Sequence, residues 1–287
     1  MADSVGEEDV RRIYIDEAVK AVALAEYKLK TLCTISSTNA WTNKYYRETN
    51  TELTGGTGSA VTGVPRFAPF PYGEVTESLV TGTIQKFGME GKMAEEDILT
   101  DALPMLSRTI LRIGRAIAYA IDVAIEAALA ANVTNTVTIA AGFEWDSATI
   151  ANRDPVKDIL DAIQEIRADN FNALNGNGYL VVNGTDYTNI ISNSKIINHP
   201  TFKTVSAVEN GVVGELCGLR IMVTEAITAE KAYVVIAMEA ITFKQAQALQ
   251  VEQIKNPGIS TTVRAWEYGQ IQVTTPNAYC QIDNTRA

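Results

Sequence analysis

The alternation of apolar and polar positions divides the 287-residue chain into stretches of distinct texture. From about residue 6 to 32, Val10, Ile13, Ala18, Ala21, Val22, Ala25, Leu29 and Leu32 recur at spacings of three and four, the period of an amphipathic helix. Glu7, Glu8 and Asp9 at its start and Lys28 and Lys30 near its end complement the helix dipole. Residues 42–95 break the pattern. Thr49 to Gly63 is small and polar, and Val64 to Gly73 sets three prolines among aromatics. Glu74 to Met93 alternates in the manner of strands, punctuated by Gly82 and Gly88. Such a stretch has little capacity for a core of its own, and long excursions of this kind are usually functional. An extended hairpin reaching another subunit accounts for it.

The strongest helical periodicity follows, from about Asp101 to Ala131, with Asp101 as N-cap and Pro104 in the first turn. At 1.5 Å per residue this helix is roughly 45 Å long, a spine for so small a protein. Ile110, Ile113, Ile117, Ile121, Ala124 and Ala128 form its apolar stripe, and its many alanines allow close backbone approach. From Thr134 the texture becomes α/β. Thr136 to Ala140 predicts a strand, and Asp154-Pro155 caps a helix carrying Val156, Ile159, Leu160, Ile163 and Ile166 on one face. After a turn at Asn175 to Gly178 come a buried strand at Tyr179 to Val182 and a short helix from Thr185 to Asn193. Leu219 to Thr224 and Tyr233 to Ala237 predict further strands. The remainder reads as β around Val251, Thr261 to Trp266 and Gln270 to Thr274. No internal repeat is present.

Charge and composition narrow the chemistry. Lys and Arg number 24 against 34 Asp and Glu, a net charge of −10 that makes coating nucleic acid unfavourable. The N-terminus lacks the basic start and apolar run of a signal peptide. Leu111 to Ala131, the most apolar stretch, carries Arg112, Arg115, Asp122 and Glu126, so bilayer insertion is not expected and no membrane partner is assigned. Cys33, Cys217 and Cys280 are dispersed and odd in number, which indicates neither a zinc site nor a disulfide framework but reduced thiols. The single histidine, His199, lies in the turn signal Asn198-His-Pro200 and has no recognisable partner for general-base work. Phosphate-cradle, nucleophile-elbow, zinc-protease and dinucleotide motifs are absent, and Gly55 to Gly58 reads as a loop tip. No catalytic residue, cofactor or metal is expected; Glu7-Glu8 and Glu95-Glu96 read as solvated charges near helix starts.

One charge pattern stands out. Arg108, Arg112 and Arg115 fall at i, i+4 and i+7, on one face of the spine helix, with Glu95, Glu96, Asp97 and Asp101 before them and Asp122 and Glu126 after. They form either a solvated face with internal ion pairs, or a subunit-interface stripe for an acidic segment of a neighbouring copy, or a phosphate contact that the net charge disfavours.

The order of parts resembles the major capsid proteins of tailed double-stranded DNA viruses, phage or archaeal, with the Hong Kong 97-type fold. Tyr72 to Met89 followed by Glu95 to Pro104 looks like the return strand of that family's extended loop leading into its spine helix. Asp154 to Asp169 with Gly178 to Gly184 looks like the helix and strand of its axial domain. Gly214 to Val223 is similar to a family strand in which proline is common where Arg220 stands, and Ala237 to Phe243 resembles the segment that follows. Val263 to Ala278 resembles the closing strand, with Tyr268 in a usually basic position.

The resemblance implies an α+β fold divided into an N-terminal arm with helix (1–41), an extended loop (42–99), the spine helix of a peripheral domain (100–133), an axial domain (134–240) and return strands of the peripheral domain (241–287). It implies a non-enzymatic virion protein, assembled in the host cytoplasm, whose copies form pentamers and hexamers of an icosahedral shell. Portal, scaffold and decoration proteins are further implied partners, with packaged DNA near the wall by non-specific proximity. An encapsulin-like nanocompartment shell and a small α/β enzyme are the alternative readings.

Overall fold

The computed structural model describes residues 17–23, 26–48, 64–70, 77–100, 105–193, 196 and 214–287. Val10, Ile13, the Gly55 to Gly58 tip, Asp101, Pro104 and His199 lie outside them. Two sheets and a ribbon organise the chain. A four-stranded sheet has the order β1 (Thr34–Ser37), β10 (Ile241–Asn256), β11 (Ser260–Val273), β4 (Gln85–Ala94). A six-stranded sheet runs β5 (Asn135–Thr138), β12 (Tyr279–Asp283), β9 (Lys231–Ile236), β6 (Gly178–Val182), β8 (Leu219–Val223), β7 (Glu215–Leu216). A separate antiparallel ribbon pairs β2 (Thr42–Glu48) with β3 (Glu77–Thr83).

The spine is helix α3 (Met105–Ala131), preceded by the short α2 (Glu95–Thr100). Its buried face continues past Ile121 through Ile125 and Leu129, whereas Ala124 and Ala128 are only half-buried, so the stripe turns differently from the expected one. Isoleucines at i, i+4 and i+8 keep the larger side chains on the sheet-facing side. The helix lies close on its neighbours. A Cβ on Gly91 of β4 would fall 2.5 Å from the Thr109 Cγ2, and one on Gly114 would meet Val22 at 2.9 Å, on the N-terminal helical segment α1 (residues 17–23). At its C-terminus the Leu129 carbonyl accepts from the Tyr279 hydroxyl at 2.9 Å and the Ala128 carbonyl from the Asn132 side chain, which satisfies two end carbonyls.

In the six-stranded sheet, α4 (Pro155–Ala168) packs on β5 and β12, and Asp154 caps it by accepting from the Lys157 N–H. Leu180, Val181 and Val182 on β6 and Val234 and Val235 on β9 are fully buried, so these strands read as continuous apolar runs. Helix α5 (Gly184–Ser192) follows β6, capped by Asn183.

The observed elements depart from the sequence expectation at three places. The first helix does not continue to residue 32: Leu29–Leu32 is a 3-10 turn, because the Asp122 carboxylate captures the Lys28 and Lys30 backbone N–H groups. β4, placed with the extended loop 42–99, instead forms an edge of the four-stranded sheet, paired with β11 from Gln85 to Ala94. Within the segment 241–287, expected to return as strands of one domain, β10 and β11 lie in the four-stranded sheet while β12 enters the six-stranded sheet between β5 and β9. A buried Ile282 and Cys280 give β12 the apolar alternation that its place between two strands requires.

Candidate functional site: assembly surfaces

The ribbon has two unlike faces. Asn43, Tyr45 and Arg47 point toward the subunit: the Asn43 amide donates to Gln270 at 3.0 Å, and Arg47 Nε donates to the Val273 carbonyl at 3.3 Å. A Cβ on Gly82 would fall on the Gln270 amide, so any larger residue there has to push that side chain aside. The opposite face presents Tyr46 and Leu79, a directly paired cross-strand couple that is 62% and 53% exposed. Nearby in sequence, Phe67 and Phe70 stand almost wholly in solvent. An exposed apolar pair such as Tyr46 and Leu79 suits an interaction surface.

The arginines expected at an interface are all on the exposed side of α3, opposite Ile113, Ile117 and Ile121. Arg115 pairs with Glu26 of its own chain at 2.8 Å, an exposed contact. Arg108 and Arg112 are exposed further along the same ridge. Arg115 thus has an ion-pair partner within its own chain.

Of the acids expected to flank this stripe, Asp122 and Glu126 are not surface charges, whereas Glu96 and Asp97 are exposed. Asp122 is 2% exposed and accepts the Lys28 and Lys30 backbone N–H groups at 2.9 and 3.1 Å. Burial raises its carboxyl above the usual range, against the pull of those hydrogen bonds. Glu126, one turn on, accepts from the buried Tyr233 hydroxyl of β9 at 3.0 Å and so ties the spine to the six-stranded sheet. A third buried acid, Glu267 on β11, accepts from the Tyr27 hydroxyl at 2.8 Å and the Lys30 ammonium at 2.5 Å. The arm is thus fastened to both spine and sheet behind the exposed surfaces. None of these partners is apparent in sequence, because polar residues at helical spacing read as a solvated face.

Burial pushes the Cys33 and Cys280 thiols up to about 12, and Cys217 is raised for the same reason. Among the described residues no group of three His, Cys, Asp or Glu could hold a metal ion, and no helix is long and apolar enough to cross a membrane.

Three known structures share the fold. The cyanophage P-SCSP1u capsid is 13% identical with a TM-score of 0.67, over 90% of this chain and 88% of that one. A virus-like particle from Pyrococcus furiosus is 10% identical with a TM-score of 0.63, over 95% and 99%. A structure from Mycobacterium phage Che8 is 19% identical with a TM-score of 0.63, over 86% of each chain. No curated protein matches the chain. The family model described as phage capsid protein matches residues 77–279, a span that takes in β3, the long helix α3, most of the six-stranded sheet and the β10–β11 hairpin, and on that match the chain belongs to the phage capsid protein family.

Proposed function

We propose that this shell protein assembles as pentamers and hexamers into an icosahedral capsid around double-stranded DNA, with the β2–β3 ribbon lying on a neighbouring copy. The observation that carries this reading is the two-faced ribbon: one side hydrogen-bonded to its own subunit, the other offering Tyr46 and Leu79 to solvent. Fully burying such a side chain is worth about 1.5–3 kcal/mol, and a closed shell repeats the contact at every equivalent position. In this reading 1–41 is the arm and 100–133 the spine of the peripheral domain. The axial domain, 134–240, takes β12 as its last strand, and the four-stranded sheet takes β4.

The role is structural, in the virion, with assembly in the host cytoplasm. Portal, scaffold and decoration proteins are the further partners. A net charge of −10 gives packaged DNA a wall without strong attraction, so contact with it is by proximity. A second reading is a shell that encloses protein instead of viral DNA; nucleic acid or protein inside purified shells separates the two. The ribbon is tested with Tyr46→Lys combined with Leu79→Lys. The expected product is a folded subunit that melts normally and forms no shells; shells at normal yield would contradict the proposed contact.

A further inference from the structure

Asn175-Gly176, Asn177-Gly178 and Asn183-Gly184 are Asn-Gly pairs within the described residues, and the fold treats them differently. Asn183 is 8% exposed and caps α5: its Oδ1 accepts from the Thr185 N–H at 3.1 Å and its amide donates to Glu225 Oε2 at 3.0 Å. Gly178 is buried and lies opposite Ile236 in the β6–β9 pairing, so the backbone after Asn177 is fixed in a strand. The Asn177 carbonyl accepts from the Ala237 N–H at 2.9 Å. Asn175 and Gly176 instead stand exposed in the turn 173–177. Gly176 has a positive φ of 84°, and a Cβ built on it would meet nothing within 4 Å. Among the described residues no backbone carbonyl takes its N–H. The Asn172 amide donates to Asn175 Oδ1 at 2.9 Å, while Asn172 Oδ1 accepts from the Leu174 N–H at 3.0 Å. One side chain thus holds the turn and polarises the Asn175 carboxamide.

A side-chain carbonyl with a donor on its oxygen, followed by a peptide nitrogen that no Cβ shields, is arranged for ring closure. We propose that Asn175 is a site of spontaneous deamidation, in which the Gly176 nitrogen closes on the side chain and water converts the carboxamide to a carboxylate. A base from solvent takes the Gly176 N–H proton, and the nitrogen attacks Asn175 Cγ, forming the N–Cγ bond. The Asn172 amide steadies the negative charge that develops on Oδ1. The Cγ–Nδ2 bond breaks with its electron pair on Nδ2, which takes up a proton and leaves as ammonia. The product is a five-membered succinimide. Water then adds to one of its two carbonyl carbons. Addition at Cγ reopens the N–Cγ bond and gives aspartate. Addition at the main-chain carbon breaks the original peptide bond instead and gives isoaspartate, with the chain running through the side chain. Amide and water become acid and ammonia, and nothing is oxidised or reduced. Ala173, fully buried, and Gly178, in β6, anchor the two ends of the turn, so the sheet keeps its packing while the tip gains a negative charge. All the reacting atoms belong to one chain or to solvent, so the proposal is independent of the shell reading.

The test is a time course on the purified full-length protein, kept folded at physiological temperature and mildly alkaline pH, with a parallel sample unfolded in urea. Trypsin releases residues 168–195 as one peptide that carries Asn175, Asn177 and Asn183, and fragmentation assigns the change within it. In the folded protein this peptide should gain the difference between a hydroxyl and an amino group at Asn175, as two products that separate by chromatography, while Asn177 and Asn183 stay intact. In urea the three positions should convert at comparable rates. A folded protein that keeps Asn175 intact, or that converts Asn177 or Asn183 as fast, overturns the proposal. Asn172→Asp retains an acceptor for the Leu174 N–H and removes the donor to Asn175, so conversion of the folded variant should slow several-fold. Conversion at the wild-type rate or faster in that variant overturns the role given to Asn172.

Discussion

Cys217 and Gly218 make the two-residue turn between β7 and β8, and both have positive φ, 55° and 81°. That pair of angles suits Asn-Gly, and a cysteine in the first position is strained. Cys217→Asn is expected to stabilise the protein by about 0.5 kcal/mol, read as a small rise in melting temperature; a fall would mean that the thiol's packing outweighs the turn. Asp158 offers a second test at this scale. Its carboxylate accepts from the Trp145 indole at 2.9 Å, and burial raises its pKa above the ordinary value of about 3.9. The native state then binds the proton at higher pH than the unfolded chain does. This contribution to stability grows as pH falls through the window between the two values and is lost as pH rises through it. Asp158→Asn cannot titrate, so the melting temperature of wild type minus variant should increase on acidification from neutral pH. A difference that shrinks would show a depressed carboxyl instead.

Among the elements, the spine helix carries the clearest surface prediction. Arg112 is exposed, whereas Arg115 already pairs with Glu26. Arg112→Glu should lower shell yield or heat resistance while leaving the melting of the isolated subunit nearly unchanged, and high salt should weaken wild-type assembly in the same direction. Arg115→Glu should also cost the subunit a few tenths of a kcal/mol, since an exposed pair contributes only about 0.2–1 kcal/mol. Normal Arg112→Glu shells would mean a solvated face. Element types were legible wherever local signals agreed: α4 has its Asp154-Pro155 start, β6 its apolar run, and the spine ends at Ala131. Long-range pairings were not. The β stretches around Val251 and Thr261 are one long hairpin, Ile241–Asn256 with Ser260–Val273, and only its pairing shows that. The inward turn of Asp122 and Glu126 was hidden likewise, because their partners lie 94 and 107 residues away in the chain.

At the scale of the molecule, the resemblance drawn from collinear segments and the family match on residues 77–279 rest on the same frame: long helix, six-stranded sheet and long hairpin. That frame buries its own core, so the subunit is self-sufficient where it is packed. Tyr46 and Leu79 on the ribbon, with Phe67 and Phe70 between its two strands in sequence, are among the large apolar side chains that it leaves exposed. Exposed apolar groups on an otherwise closed fold are what a shell subunit needs: folded before assembly, yet carrying surface that only a neighbour covers. Electron microscopy of the purified wild-type protein tests this most directly. The account predicts closed icosahedral shells, or rings of five and six subunits, with the ribbon resolved against the adjacent copy; a monodisperse monomer at every protein concentration and salt tried would contradict it.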